Sequence, residues 1–126
     1  MATATLSNYR QSPRKVRVVA DLIRGKSLVA ANAQLAFLPK RAAGPLSKLL
    51  ASALANAKNL DSAVTAETLY VNEIRVDKAP TAKRIMPRAR GSASRINKRS
   101  SHVFVTLGPA PVKKAKKERI VKESTK

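Results

Sequence analysis

Apolar residues recur at Val16, Val19, Ala20 and Ile23, spaced i, i+3, i+4 and i+7, while Arg14, Lys15, Arg17 and Asp21 fall largely elsewhere. That spacing predicts a helix with one buried stripe. Its ends are marked by Ser12 as N-cap, Pro13 at the first helical position and Gly25 just past the last turn. A second, short helix is predicted from Ser27 to Leu38, with Leu28, Ala31, Leu35 and Leu38 inward and Pro39 as its stop. A third, from about Arg41 to Asn59, carries the longest apolar stripe: Leu46, Leu49, Leu50, Ala53, Leu54 and Ala57. Gly44 and Pro45 sit in or near its first turn, where proline is tolerated because its missing N–H had no helical partner. Its alanines, Ala51, Ala53, Ala55 and Ala57, permit close approach of a neighbouring element.

After a polar connector from Asn59 to Glu67 the period changes to two. Tyr70, Ile74 and Val76 point one way, with Asn72 interrupting, and Leu69, Val71, Glu73 and Arg75 point the other. A matching run alternates Val103, Val105 and Leu107 against His102, Phe104 and Thr106. Joined antiparallel, the two runs become a long hairpin with its midpoint near Ala89 to Gly91, where glycine can supply a positive φ. A dozen residues per arm, at about 3.3 Å each, would carry the tip roughly 40 Å beyond the sheet. Ala2 to Tyr9, with threonines and a leucine, is a weaker candidate for an edge strand.

Charge changes what the hairpin is for. The chain has 126 residues with 26 Lys+Arg against 7 Asp+Glu, a formal net charge of +19. Between Lys78 and Arg99 the sequence KAPTAKRIMPRARGSASRINKR holds Lys78, Lys83, Arg84, Arg88, Arg90, Arg95, Lys98 and Arg99 and no acid. Burying such cations unpaired is too costly for a core, so the stretch meets water or a polyanion. A phosphate-dense partner relieves the self-repulsion and gains affinity by releasing condensed counterions. Nucleic acid is the first expectation. No apolar segment approaches the roughly 20 residues of a membrane span, and MATATLSNYR lacks the apolar region of a signal peptide. The expectation is a soluble intracellular protein with no membrane partner.

Other chemistries find little footing. Without cysteine and with His102 as the only histidine, neither a disulfide framework nor an all-protein zinc cage is available. There is no P-loop, dinucleotide fingerprint or hydrolase elbow, so no cofactor, metal site or enzyme activity is expected. His102 is read as a strand-edge residue, and Asp21 and Asp77 as structural or charge-balancing. Arginine dominates the hairpin and can grip phosphate bidentately; lysine dominates the tail after Pro109, read as a solvated extension. Only Tyr9, Phe37, Tyr70 and Phe104 are aromatic and none lies in the basic stretch, which disfavours a base-stacking platform. Phe37 is read as core or helix-end packing. The cations of the first helix read equally well as an RNA contact or as a wet face. Met86 beside Pro87 reads equally as loop content or as an apolar wedge. That leaves an alternative: an architectural DNA-binding protein with basic β-arms.

The segments SPRKVRVVADLIRGKS, ALANA, YVNEIRVDKAPTAKRIMPRARG and SRINKRSSHVFVTL, in that order, closely resemble the family of the twenty-second protein of the large ribosomal subunit, in its bacterial form. The resemblance covers about Asn8 to Leu107. It implies an α+β fold, a small antiparallel β-sheet packed with three α-helices, with a long protruding basic β-hairpin at about 77–101. The domain would span 1–109 and the basic tail 110–126. It also implies a cytoplasmic, noncatalytic constituent of the large subunit, which binds ribosomal RNA, supports early assembly and lines the nascent-peptide exit tunnel. Its partners would be large-subunit ribosomal RNA, neighbouring ribosomal proteins and, at the hairpin tip, the nascent polypeptide.

The RNA-contacting residues implied are Arg14, Lys15 and Arg17 in the opening helix, Lys78, Lys83, Arg84, Arg88, Arg90 and Gly91 in the outgoing arm and tip, and Arg95, Lys98 and Arg99 in the return arm. Three features depart from the family pattern: Ser92 where relatives are usually basic, a shortened connector KNLDSA, and a longer Lys-rich tail. Ser92 is expected to leave the tip less tightly held.

Overall fold

The computed structural model describes residues 1–62 and 64–109. In chain order the elements are β1 (Ala2–Tyr9), α1 (Pro13–Ile23), α2 (Leu28–Phe37), α3 (Ala43–Leu60), β2 (Tyr70–Pro87), a single 3-10 turn (Ala89–Gly91) and β3 (Ala93–Gly108). The strands form one antiparallel sheet in the order β1-β3-β2, so the α+β expectation and the three helices both hold. Ser27 caps α2 by accepting the Ala30 amide at 3.4 Å. Gly25 follows α1 at φ +72°, a left-handed conformation that glycine adopts without steric penalty, and its amide reaches the Val71 carbonyl at 2.9 Å.

One face of the sheet is covered. α1 lies against β2, α3 against β1 and β3, and α2 against α3. Val16, Val19 and Ile23 of α1 meet Leu28, Leu46 and Leu50 and the sheet residues Val71, Val103, Val105 and Leu107, all essentially inaccessible to water. Ala53 and Ala57 are buried while Ala51 and Ala55 are exposed, so two of the four alanines serve the close approach.

The structure differs from sequence expectation at four side chains, each for a reason of packing or strand order. Strict alternation puts Val71 with Glu73 on one side and Tyr70 with Ile74 on the other. Instead Val71 pairs with Leu107 while Glu73 pairs with Thr106, leaving Asn72 as one extra residue. That bulge reverses the phase, so Val71, Ile74 and Val76 are all buried and Tyr70 is half-buried. Phe37 does not pack in the core but is 89% exposed. It lies two residues beyond Leu35, about 200° around the helix from the inward stripe. His102 is not at an edge, because β3 is the central strand; its Nδ1 accepts the Asn8 amide at 3.2 Å. The tail at 110–126 falls outside the described residues.

Both outer edges of the sheet are engaged by side chains or loop backbone. Along β2, the Val71 amide donates to Lys26 O and the Leu28 amide to Leu69 O, both at 2.9 Å. Farther along, Arg24 Nη2 donates to Ile74 O at 3.1 Å, and Arg17 donates to Val76 O through Nε at 3.1 Å and Nη2 at 2.8 Å. On β1, Asn56 Nδ2 donates to Thr3 O at 2.9 Å. Exposed edges invite pairing with other chains, and these contacts occupy donors and acceptors that would do so.

Candidate nucleic-acid interface

A second bulge on β2 marks where the hairpin leaves the body. Ala79 pairs with Ser100 and Ala82 with Lys98, so Pro80 and Thr81 together face the single residue Arg99. Proline has no N–H to give a ladder, and a bulge is one of the few places in a sheet that accepts it. Burial stops at the same point. Ser101 and Ala79 are buried, whereas every residue from Pro80 to Ala93 is exposed. From Ala79 to the last paired residue, Pro87, is eight steps. At about 3.3 Å each these span roughly 26 Å, shorter than the expected 40 Å because the base of each arm belongs to the packed sheet.

Beyond the bulge the arm is a two-stranded ribbon whose register sorts its side chains onto two faces. Ala82 with Lys98, Arg84 with Ile96, and Met86 with Ser94 share one; Lys83 with Asn97, Ile85 with Arg95, and Pro87 with Ala93 share the other. Each face therefore carries two cations and apolar side chains. A ribbon resting on one polyanion surface needs charge on one side only. This one offers charge to both sides.

The tip is well tied. The Arg88 amide donates to Ser92 O at 2.9 Å, and the Ser92 amide and hydroxyl both donate to Ala89 O, at 3.3 and 2.9 Å. Ser92 thus fastens the turn internally, its short hydroxyl folding back onto the backbone. Gly91 has φ +71°, as expected of a turn glycine, and Arg90 has φ +58°, uncommon for a residue with a Cβ. Arg88 Nε donates to Ser94 Oγ at 3.0 Å, which orients its guanidinium along the ribbon.

At the other end of the arm the fold gathers cations from three segments. One cleft, of about 360 Å³, is lined by Arg14, Arg17, Lys78 and Arg99; its neighbour, of about 630 Å³, by Arg10, Lys15, Arg41, Lys98 and Arg99. No acidic residue lines either. The predicted residues Arg14, Lys15, Arg17, Lys78, Lys98 and Arg99 are thus brought together at the root. Lys83, Arg84 and Arg95 lie on the arm, and Arg88, Arg90 and Gly91 at the tip. Arg17 is partly diverted, since two of its nitrogens hold the Val76 carbonyl. Arg10 and Arg41 escaped the sequence reading; Arg10 stands three residues before α1 and Arg41 two before α3, and only the tertiary fold makes them neighbours of the hairpin.

The acids sit apart. Asp21 pairs with Arg24 at 2.7 Å, and Asp77 with Arg75 at 3.0 Å, as charge-balancing residues should. Arg75 also lies 4.8 Å from the ring centroid of Phe104, its cross-strand partner. Among the described residues no group of three His, Cys, Asp or Glu could hold a metal ion, and no helix is long and apolar enough to cross a membrane.

Comparison with known proteins agrees with this architecture. The family model described as ribosomal protein L22p/L17e matches residues 4–108. The large ribosomal subunit protein uL22 of Acetivibrio thermocellus is 54% identical over 104 residues, covering 82% of this chain and 82% of the relative. That of Herpetosiphon aurantiacus is 47% identical over 111 residues, 88% of this chain and 97% of the relative. That of Anaeromyxobacter sp. (strain K) is 48% identical over 107 residues, 85% of this chain and 73% of the relative. The matched span includes both the root clefts and the whole arm.

Proposed function

Because the chain belongs to the ribosomal protein L22p/L17e family, we propose that it is a noncatalytic, cytoplasmic constituent of the large ribosomal subunit that clamps ribosomal RNA. It supports early subunit assembly and sends its hairpin into the wall of the nascent-peptide exit tunnel. The observation that carries this reading is the exposed arm, basic on both faces and without an acid from Lys78 to Arg99.

The mechanism is electrostatic and steric. The root lies on the RNA surface while the ribbon passes between RNA segments, with Lys83 and Arg95 facing one side and Arg84 and Lys98 the other. Guanidinium and ammonium groups take the place of mobile counterions, so association gains the entropy of ion release. If about eight phosphates are neutralised, log K falls with log salt at a slope of about −6 to −7. Ile85 and Met86, 73% and 42% exposed near the tip, supply apolar contact for RNA bases or for a passing nascent chain. Neighbouring ribosomal proteins complete the partner set.

The test is sedimentation of cell extract through a moderate-salt gradient. Co-migration with the large subunit is expected. A free pool on chromosomal DNA would instead favour an architectural DNA-binding protein with basic β-arms. Met86 and Pro87, the wedge of that alternative, occupy opposite faces of the ribbon, which gives it no joint wedge.

A further inference from the structure

We infer that the outer face of α2 is a docking site for a second helix, carried by a protein partner whose apolar stripe is flanked by acidic residues. The inference goes beyond the RNA-clamp reading: no residue of α2 lines either basic cleft, and the helix packs chiefly against α3.

The ten residues of α2, LVAANAQLAF, include no charge, in a chain whose net charge is +19. At about 100° per residue they form two apolar stripes. Leu28, Ala31 and Leu35 make the inner one and are buried. Ala36, Val29, Ala33, Phe37 and Ala30, in that angular order, make an outer one about 120° wide, and all five are exposed. Asn32 and Gln34 separate the two. Phe37 is 89% exposed and Val29 52%. A stripe of that width is what a globular helix turns toward a core, and a helix apolar on both sides belongs in contact on both sides. No described residue covers the outer one.

Shape and charge say what does. Ala30, Ala33 and Ala36 leave the backbone open to close approach, and Phe37 stands beside them as one large knob, a surface that a crossing helix can grip. RNA fits poorly, because the stripe offers neither a cation nor a side-chain donor to a phosphate. The ends of the helix are cationic, with Lys26 before its first turn and Lys40 beyond its last, and no acid occurs from residue 22 to residue 60. Lys26 Nζ also donates to Gln34 Oε1 at 2.8 Å, which holds that charge along the helix. Two copies meeting through this face would set these lysines against one another in either orientation, on chains that already repel. The net basic segment 113–126 meets the same obstacle. A helix with acids at both ends of its apolar stripe meets none, and its charges are attracted to the site.

The experiment uses the full-length chain and a synthetic probe: an amphipathic peptide of roughly 18 residues, long enough to form a helix in water, with a leucine stripe and glutamates at both ends. One control peptide has lysines in place of the glutamates, and another has the probe's residues with the stripe scrambled. Binding is read by fluorescence anisotropy at physiological salt, where loose attraction between opposite charges is screened. The natural chain should bind the probe at least about tenfold more tightly than either control, and the double variant Ala33→Gln with Phe37→Gln should lose about tenfold or more. Both substitutions are neutral and on the surface, so the unfolding temperature and binding to large-subunit ribosomal RNA should stay unchanged.

Equal binding of the three peptides, or equal probe binding by the natural and substituted chains, overturns the docking site. RNA binding retained by both chains in that case leaves the RNA-clamp reading standing. Substitutions that weaken RNA binding as much as probe binding assign the face to RNA and overturn the proposal as well. Self-association of the natural chain that the double variant abolishes, without preference for the probe, assigns the face to a second copy instead.

Discussion

Replacing Arg17 with methionine removes a guanidinium while keeping most of its aliphatic stem, and so isolates the seal on β2. Two of its nitrogens hold Val76 O at 3.1 and 2.8 Å, at a partly buried position on the outer edge of the strand. Hydrogen bonds from a charged donor contribute about 1.5–3 kcal/mol. Both bonds here share one acceptor, and losing a cation from the crowded root returns some repulsion energy, so a net loss of about 1.5 kcal/mol is expected. For a domain near 100 residues this lowers Tm by roughly 6–12 °C. Arg14, one turn earlier on α1, has no such bond, and Arg14→Met should leave Tm unchanged or slightly raised. Circular dichroism melts of the two variants, at low salt and equal concentration, make the comparison. Equal Tm values for both would refute the edge-seal reasoning. The Arg17 variant should also self-associate more readily, because an uncovered carbonyl on an edge strand is open to pairing.

Other outcomes can be checked alongside. Leu50→Ala empties a fully buried site between α3 and the sheet and should cost about 2–5 kcal/mol, read as a lower denaturant midpoint with an unchanged slope. Gly108→Ala places a Cβ against the Asn72 side-chain amide, which can swing aside, so the cost in the same assay should stay below about 1 kcal/mol. Arg88→Ala with Arg90→Ala should weaken RNA association or slow subunit assembly more than removal of 113–126; equal or reversed effects in a reconstitution time course would count against the hairpin as the principal contact.

The helices were legible because their signals are local: a 3.6-residue apolar stripe, Ser12 and Ser27 before them, Gly25 and Pro39 after them. The hairpin was legible because two alternating runs flank an acid-free basic segment. Val71 was misplaced because a bulge needs one extra residue, and period-two reading cannot tell which side of Asn72 keeps the phase. Phe37 misled because aromatic character argues for burial while its angular position on α2 decides exposure. Nothing in the sequence separates Arg17 from Arg14, since both are cations on one helix; docking against β2 gives the first a bond to Val76 O and the second none. Arg10 and Arg41 belong to the same class, distant in sequence from the arm and near it only when the sheet has formed.

That sheet closes late. Ala2 pairs with Leu107, so the first strand finds its partner only across 105 residue steps. At roughly 5–20 residues per second of synthesis, β1 waits about 5–20 s for β3 to exist. In that interval α1, α2 and α3 can form but lack the strand that unites them, and both arms of the hairpin must be made before β1 can dock. A topology dominated by such distant pairings folds slowly. The basic arm is therefore synthesised before the body that carries it is complete.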